Sequence, residues 1–321
     1  LLLVDWDAGS FWVNLIGNQA TLAGAKGLII STMSTPTYYG SPDSIGSFDA
    51  TYDASWVPLI TISRNDGFAI MNLLAQGRVR GTMVSDVRMT MASQGGTGYN
   101  AIGVLPGEDH THPIIIIGHH DAWFYGASDD TSADAGMLAW AKALVTSRYR
   151  PAHDLIFVSD TGEEYGYTNA YYEWLIGAWY MITRAHPDWA PRAIGFINLE
   201  GLGGQGLDGS RGAFGATANF ELAPLVREVF GASPDLLPSG WHVDTVLGSW
   251  TDGWTLTAAG LPGVTFGTDI AGFDAVYHTN QDDLRLVNYG TMAQEVQLLQ
   301  RYLVALDRAP VLPYRFGERA A

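Results

Sequence analysis

The sequence predicts an α/β protein with a mostly parallel central β-sheet and helices packed on its faces. Four long apolar runs support this prediction, because continuous apolar runs are typical of strands that are buried on both faces. These runs cover residues 113–121, 154–164, 193–200 and 261–269. A helical stripe lies between the first two runs, and the order strand, helix, strand favours parallel strands joined by a crossover helix.

Two helical stripes follow the period of an α-helix and are predicted to pack against the sheet. The first lies within residues 132–148 and places Met137, Trp140, Ala141 and Leu144 at i, i+3, i+4 and i+7. The second lies near the C-terminus and consists of Met292, Val296, Leu299, Leu303 and Leu306. Together with the four strands, they predict three layers.

Residues 1–92 predict a separate, smaller α/β module. Its short segments alternate between strand and helix in the order LLLVDW, NLIGNQATLAGAKG, GLIIS, VPLITIS, NDGFAIMNLLAQG and RVRGTMVSDVRMTM. A Gly-rich polar stretch, SQGGTGYNAIG, follows at 93–103 and predicts a connection. Since 321 residues suffice for about two domains, we place the domains at 1–92 and 93–321.

Composition excludes several classes of function. The net charge is −16, so a nucleic acid would be repelled, and no apolar run approaches the roughly 18 residues that span a bilayer. The chain has no cysteine, which leaves histidines and carboxylates as the only strong metal ligands. It begins at Leu1 without a signal-peptide pattern, and we expect a processed or truncated start and a secreted or extracytoplasmic location.

Histidines at strand ends are the first candidates for a site. Five of the eight histidines lie in loop-like contexts and are interpreted as bystanders, namely His110, His112, His153, His186 and His242. His119 and His120 follow the first apolar run, and adjacent side chains of a strand face opposite ways, so at most one faces a shared site. Asp121 lies two residues after His119, and we expect its carboxylate to hold the second ring nitrogen of His119.

Two pairs of carboxylates extend this candidate site. Asp129 and Asp130 precede the helix predicted over 132–148, and a helix N-cap is the alternative interpretation for them. Glu163 and Glu164 follow a buried strand and repel one another, which raises the pKa of at least one unless a cation compensates. A metal bound by one and a water activated by the other would use both, whereas two solvated loop glutamates are the alternative.

The candidate ligands supply two imidazoles and three carboxylates from different strand ends, a region where ligands of parallel sheets collect. They are His119, Asp129, Glu164, Glu200 and His278. Nitrogen and oxygen ligands without sulfur favour Zn²⁺ over Mn²⁺ or Co²⁺. Five side chains suggest two ions that share a bridging carboxylate, an arrangement suited to hydrolysis.

Four blocks of sequence resemble metallopeptidase family 28, which includes bacterial zinc aminopeptidases and glutamate carboxypeptidases. They are GHHDAWFYGASDDTSA, FVSDTGEEYG, FINLE and VYHTNQDD, in that order, within about residues 105–310. The resemblance implies the fold of zinc-dependent exopeptidases, a three-layer sandwich. It also implies ligand roles: His119 for the first metal with Asp121 as support, Asp129 as bridge, and Glu164 and His278 for the second metal. Glu200 stands where most members have Asp as the remaining ligand of the first metal.

The resemblance further implies catalytic roles for two residues. Glu163 is similar to the general base that takes a proton from the bridging water. Tyr277 is similar to a tyrosine that steadies the tetrahedral oxyanion in some members. Residues 1–92 resemble a protease-associated domain on the strength of AGAKGLII and VPLITISRNDG, and from this resemblance we expect the strands that normally precede such an insertion to be missing.

We therefore expect a co-catalytic dizinc exopeptidase that acts on peptides, with an aminopeptidase favoured. A carboxypeptidase or dipeptidase of the glutamate carboxypeptidase type is the alternative, although no arginine lies between Leu261 and His278 to bind an acidic side chain. A receptor-like binding protein without catalysis and a one-metal cyclase are the rivals from other classes. Asp252 is expected to orient the region of His278. An apolar pocket is expected from the aromatic residues Trp123, Phe124, Tyr125, Trp250, Trp254 and Tyr277.

Overall fold

The structure is a computed structural model that describes residues 1–7, 13–34, 42–46, 57–86, 96–164, 174–245, 250–270 and 272–309. It contains a three-stranded sheet and a seven-stranded sheet, both accompanied by helices. The predicted α/β class with a mostly parallel central sheet is confirmed. None of the helices in these ranges combines the length and the apolar character that crossing a bilayer requires.

The smaller sheet lies in the N-terminal part of the chain. Its parallel strands, in the order β1-β2-β3, are β1 (Leu2–Asp5), β2 (Leu28–Ser31) and β3 (Leu59–Thr61), and its helices are α1 (Val13–Leu22) and α2 (Arg64–Gln76). Its small core packs the apolar face of α1 against β2. Five of the six predicted segments are present. The sixth was wrong over 78–86, which forms no strand, and its residues 87–91 lie outside the described ranges.

The larger sheet has the strand order β4-β6-β5-β7-β10-β8-β9. Its strands are β4 (Ala101–Leu105), β5 (Asp109–His119), β6 (His153–Asp160), β7 (Gly195–Glu200), β8 (Ala213–Ala218), β9 (Trp241–Asp244) and β10 (Gly263–Asp269). The four predicted strands are its centre, β6-β5-β7-β10, and all of these pairs are parallel. β4 and β8 pair antiparallel with their central neighbours.

Helices cover both faces of this sheet. They are α3 (Ser132–Thr146), α4 (Ile176–Tyr180), α5 (Trp189–Arg192), α6 (Ala223–Gly231), α7 (Asp252–Ala258) and α8 (Tyr289–Asp307). Alternate residues of β5 enter different cores: Ile114 and Ile116 pack with α3, α6 and α8, whereas Ile115 and Ile117 pack with α4, α5 and α7. The predicted three layers are therefore present.

A short segment joins the two sheets. Gly46 forms a β-bridge with Thr279, and Asn280 exchanges hydrogen bonds with the backbone of Ile45 at 2.8 and 3.1 Å. Thr61, at the end of β3, donates its hydroxyl to the carbonyl of Gly46 at 2.8 Å. The N-terminal module is thus attached to the loop that follows His278. The boundary at residues 92 and 93 stays a prediction, since residues 87–95 lie outside the described ranges.

Candidate metal centre

The five predicted ligands meet at the carboxyl edge of the larger sheet. His119 ends β5, Glu200 ends β7, and Glu164 follows β6 by four residues. Asp129 lies in the turn between β5 and α3, and His278 lies in the loop after β10. Parallel strands bring their carboxyl ends to one edge, which explains why residues so distant in sequence come together.

The first cluster consists of His119, Asp129 and Glu200, whose ligand atoms lie within 4.8 Å of one another. Nε2 of His119 is 3.4 Å from Oδ1 of Asp129 and 3.7 Å from Oε2 of Glu200. His119 is buried, and its Nδ1 is 2.9 Å from the backbone carbonyl of Asp121. That contact leaves Nε2 directed at the two carboxylates.

The second cluster consists of Asp129, Glu164 and His278. Nε2 of His278 is 3.1 Å from Oδ2 of Asp129 and 3.0 Å from Oε2 of Glu164. Asp129 therefore directs one oxygen to the first cluster and the other to the second. This is the placement that a bridging ligand of two ions requires.

The charge of the site fits divalent cations. Burial, followed by the charge of Asp129, raises the pKa of Glu164 to about 7. Oδ2 of Asp130 and Oε1 of Glu164 are buried without a hydrogen-bond partner among the described residues. No lysine or arginine in the described ranges forms an ion pair with these carboxylates. Divalent cations that prefer oxygen and nitrogen ligands, such as Zn²⁺, would supply the missing positive charge.

Glu163 lies beside both clusters without belonging to either. It is buried, and its Oε2 is 4.0 Å from Nε2 of His119. Burial raises the pKa of Glu163 well above its ordinary value, and the negative charges of Glu200 and Asp252 add to the shift. A carboxylate with a raised pKa holds a proton more readily, which suits proton transfer.

Asp121 makes a different contact from the one expected. Its carboxylate was predicted to hold the second ring nitrogen of His119, but it lies 3.8 Å from that nitrogen. The carbonyl of Asp121 turns toward the ring instead, so the carboxylate is available to the next strand. There it accepts the backbone N–H groups of Glu163 and Glu164, each at 3.2 Å. Asp121 thus supports the second cluster and Glu163 through their backbone.

Two further aspartates support the site by accepting backbone N–H groups, and neither contact was predicted from the sequence. Asp282 is buried and accepts the N–H groups of Ser128 at 2.8 Å and Asp129 at 3.0 Å. Asp130 accepts the N–H of Gly201 at 2.7 Å, directly after Glu200. The sequence signals for them were two acidic pairs, Asp129 with Asp130 and the pair that ends VYHTNQDD.

The N-cap alternative for Asp129 and Asp130 is not observed. α3 begins after Thr131, which makes no side-chain capping bond. Asp252, which was expected to orient the region of His278, lies against Asp160, and its role toward His278 stays a prediction. Burial, followed by the charge of Asp160, raises the pKa of Asp252 well above its ordinary value.

Aromatic side chains flank the second cluster. The ring of Tyr277 stacks on His278 with centroids 3.6 Å apart, and the ring of Trp123 lies 6.2 Å from His278. Trp250 packs edge-on against Trp174 at 6.0 Å. Of the expected pocket residues, Trp123 and Tyr277 therefore lie next to the site, whereas Phe124 and Tyr125 are largely exposed.

Known proteins resemble this chain in sequence and in fold. A probable leucine aminopeptidase 2 of Trichophyton verrucosum is 30% identical over 153 residues, which cover 46% of this chain and 28% of that protein. A probable glutamate carboxypeptidase of Zea mays is 29% identical over 102 residues, which cover 30% of this chain and 13% of that protein. The solved structure of BSAP, a zinc aminopeptidase from Bacillus subtilis, is 16% identical with a TM-score of 0.65.

The matches differ in how much of each chain they cover and in sequence identity. The structural match covers 99% of this chain and 71% of the Bacillus protein, and at its low identity it shows the fold alone. The chain matches well under a third of the length of the two curated relatives. The sequence model of Peptidase family M28, by contrast, matches residues 100–303, the whole part that carries the two clusters. The chain therefore belongs to peptidase family M28.

Proposed function

We propose that this protein is a co-catalytic dizinc exopeptidase that removes residues from the free amino end of peptides. The observation that carries the proposal is the position of Asp129, whose two oxygens face two separate clusters of ligands. In the proposal His119, Asp129 and Glu200 hold one ion, and Asp129, Glu164 and His278 hold the other. When bound, two zinc ions polarise a scissile carbonyl and lower the pKa of a water.

Glu163 is the proposed general base. Its carboxylate takes a proton from the attacking water as the new carbon–oxygen bond forms, and it later delivers that proton to the nitrogen of the leaving amine as the carbon–nitrogen bond breaks. Its burial beside the first cluster, with Oε2 4.0 Å from Nε2 of His119, supports this role. Asp121 positions the base through the N–H groups of Glu163 and Glu164.

Tyr277 is the proposed donor to the oxyanion that develops on the scissile carbonyl. Its ring stacks on His278, so the residue belongs to the wall of the second cluster. A phenol hydroxyl is a suitable donor for such an oxyanion, because the bond strengthens as negative charge develops.

The preference for amino ends has two supports. The ion pairs of arginine among the described residues lie outside the site, so they give no sign of a cation placed to receive a substrate carboxylate. One relative is a probable leucine aminopeptidase, and one protein of the same fold is a zinc aminopeptidase. Another relative is named a probable glutamate carboxypeptidase, so cleavage at the carboxyl end is the alternative.

The N-terminal module is proposed to be a protease-associated domain that covers part of the substrate cleft. Its parallel three-stranded sheet and its attachment to Thr279 and Asn280, next to His278, support this assignment. We also keep a secreted or extracytoplasmic location as part of the proposal.

The test combines metal content with activity. Zinc per chain is measured by elemental analysis in the wild type, in Glu163→Gln and in the exposed control Glu228→Gln, alongside hydrolysis of leucine p-nitroanilide. We expect two zinc ions in all three proteins and loss of activity in Glu163→Gln alone. Folded wild type without metal would favour the receptor-like alternative, and one ion per chain would favour the one-metal cyclase. Activity on amino-blocked peptides alone would favour a carboxypeptidase.

A further inference from the structure

Asn198 is a buried polar residue whose side chain forms described hydrogen bonds with Glu200 and Thr265. It lies in β7 two residues before Glu200, so both side chains leave the same face of the strand. The amide nitrogen of Asn198 donates to Oε1 of Glu200 at 3.0 Å and to Oγ1 of Thr265 at 3.4 Å. A carboxylate only accepts hydrogen bonds, so the amide must present its nitrogen to Glu200.

Because of this contact, the two carboxylate oxygens of Glu200 have different neighbours. Oε1 is held by Asn198, whereas Oε2 faces Nε2 of His119 at 3.7 Å. Glu200 also retains 22% of its side-chain exposure, whereas His119 is buried. A glutamate has several rotamers in such a setting, and a fixed donor on one oxygen restricts them.

The packing around Asn198 fixes the position of its side chain. Thr265 lies in the neighbouring strand β10, and its hydroxyl is 3.4 Å from that of Thr251, which precedes α7. A Cβ atom on Gly253 would lie 2.5 Å from Oγ1 of Thr265 and 3.3 Å from Cβ of Asn198. The backbone of α7 thus approaches the two side chains closely and leaves Asn198 little room to turn.

We propose that Asn198 is a positioning residue that makes Glu200 a one-oxygen ligand of the first cluster. Asn198 holds Oε1 back from the site and directs Oε2 toward His119 and Asp129. The extra methylene of Glu200, relative to an aspartate, makes such a partner necessary, because a longer side chain reaches the site in more than one way. The inference rests on the proposed function, since it assumes that the first cluster binds an ion.

The first experiment replaces the donor and measures metal affinity. Zinc binding to Asn198→Leu, which keeps the shape of the side chain, is titrated against a competing chelator. We expect one of the two ions to bind about 10–100-fold more weakly and the other to keep its wild-type affinity. In the cobalt-substituted protein, the visible absorption of one equivalent should change. The control is Thr255→Val, because Thr255 is buried in α7 and its hydroxyl has no partner among the described residues.

A double-mutant cycle separates positioning from general packing. In a Glu200→Asp background the carboxylate is one methylene shorter and no longer reaches the amide, so Asn198→Leu should have no further effect on either ion. Equal losses in both backgrounds would mean that Asn198 acts through packing alone and would overturn the inference. If Asn198→Leu does not fold by circular dichroism, Asn198→Ser carries the same expectation, because its hydroxyl is too short to reach Glu200.

The outcomes also separate this inference from the proposed function. Wild type that binds no zinc overturns the dizinc function. Wild type that binds two zinc ions and hydrolyses leucine p-nitroanilide, while Asn198→Leu binds both ions with unchanged affinity and spectrum, overturns the role of Asn198 alone.

Discussion

The two clusters that share Asp129 differ in how closely their side chains are packed. In the second cluster, Nε2 of His278 lies within 3.1 Å of both carboxylates, and the side chains of His278 and Glu164 are 2% and 5% exposed. In the first cluster the corresponding distances are 3.4 and 3.7 Å, and Glu200 is 22% exposed. The second cluster is therefore better organised before any ion binds.

The difference follows from how the ligands are held. The backbone of Glu164, a ligand of the second cluster alone, is fixed by Asp121, whereas the backbone of Asp129, which both clusters share, is fixed by Asp282. The side chain of Glu200 is held by the amide of Asn198. The residue that follows it, Gly201, donates its backbone N–H to the carboxylate of Asp130. Carboxylates that bind backbone amides restrain a whole loop, whereas a side-chain contact restrains one rotamer.

The largest effect should come from removing the residue common to both clusters. Asp129→Asn replaces a carboxylate that faces both histidines by a neutral amide, so both ions should bind weakly. We expect kcat/KM to fall by about 10⁴-fold or more, because the polarisation supplied by both ions is lost. Zinc content and kcat/KM are measured beside the exposed control Asp244→Asn. Loss of one ion with retention of the other would contradict the shared role of Asp129.

Glu163→Gln should separate chemistry from metal binding. Because Glu163 belongs to neither cluster, both ions should remain while kcat falls by about 10²–10⁴-fold, the usual effect of losing a general base. Elemental analysis and steady-state kinetics on the same sample measure the two quantities. A parallel loss of zinc and activity would place Glu163 among the ligands instead.

The stability of the segment that follows Glu200 of the first cluster should depend on pH through Glu295. This buried residue of α8 accepts the N–H of Gly203 at 2.6 Å and the hydroxyl of Thr268 at 2.9 Å. Burial raises the pKa of Glu295 to about 7 from 4.5, so the folded state holds its proton more tightly than the unfolded state. Its contribution to stability is complete below pH 4.5 and is lost as the pH rises through 7, with a magnitude on the order of 3 kcal/mol.

Glu295→Gln keeps both contacts without a titrating proton. Urea unfolding at equal metal load from pH 4.5 to 8 should therefore show a smaller decline of the free energy of unfolding in the variant than in the wild type. An identical decline in both proteins would show that Glu295 does not cause the pH dependence of the free energy of unfolding.

Asp282→Asn should weaken both clusters through the backbone of Asp129, the ligand that they share. The variant can accept one of the two N–H groups, so a buried donor loses its partner, at a cost of about 1–3 kcal/mol in the free energy of unfolding. The neighbouring Asp283→Asn is the matched control, because Asp283 is partly exposed and pairs with Arg285. Equal effects of the two substitutions would show that Asp282 has no special role.

The smallest expected effect is a difference in affinity between the two clusters of the unmodified protein. Stepwise dialysis against a chelator should release one ion before the other, with affinities about tenfold apart, or about 1.4 kcal/mol. Glu200→Ala should retain the ion that is released last, whereas Glu164→Ala should lose it. The reverse pattern would make the first cluster the tighter site.

The sequence predicted the four central strands of the larger sheet but missed its outer strands. The four central strands were predictable, because β5, β6, β7 and β10 are continuous apolar runs that stay apolar when both faces are buried. The edge strand β4 exposes four of its five residues, and β8, with the sequence AFGATA, is made mostly of small residues. Neither carries the apolar signal of a buried strand.

The ligands were predictable to a larger extent than the residues that hold them. Histidines and carboxylates at strand ends have a recognisable pattern, and the resemblance to a family ordered them. The contacts of Asp282 with Ser128 and of Asn198 with Thr265 cross 154 and 67 residues of sequence. Such pairs depend on the three-dimensional arrangement of loops and strands, which no local pattern in one sequence encodes.

The distance in sequence between the two histidines links folding to metal supply. His119 and His278, the histidines of the two clusters, are 159 residues apart, so the complete site exists only after strands that are distant in sequence have come together. Zinc ions that bind only this folded state add to its stability by mass action, about 2.7 kcal/mol per site at a free concentration 100 times the dissociation constant. If the proposed dizinc function holds, a cell short of zinc would lose not only activity but also folded protein, and the amount of intact chain would report on the metal available where it folds.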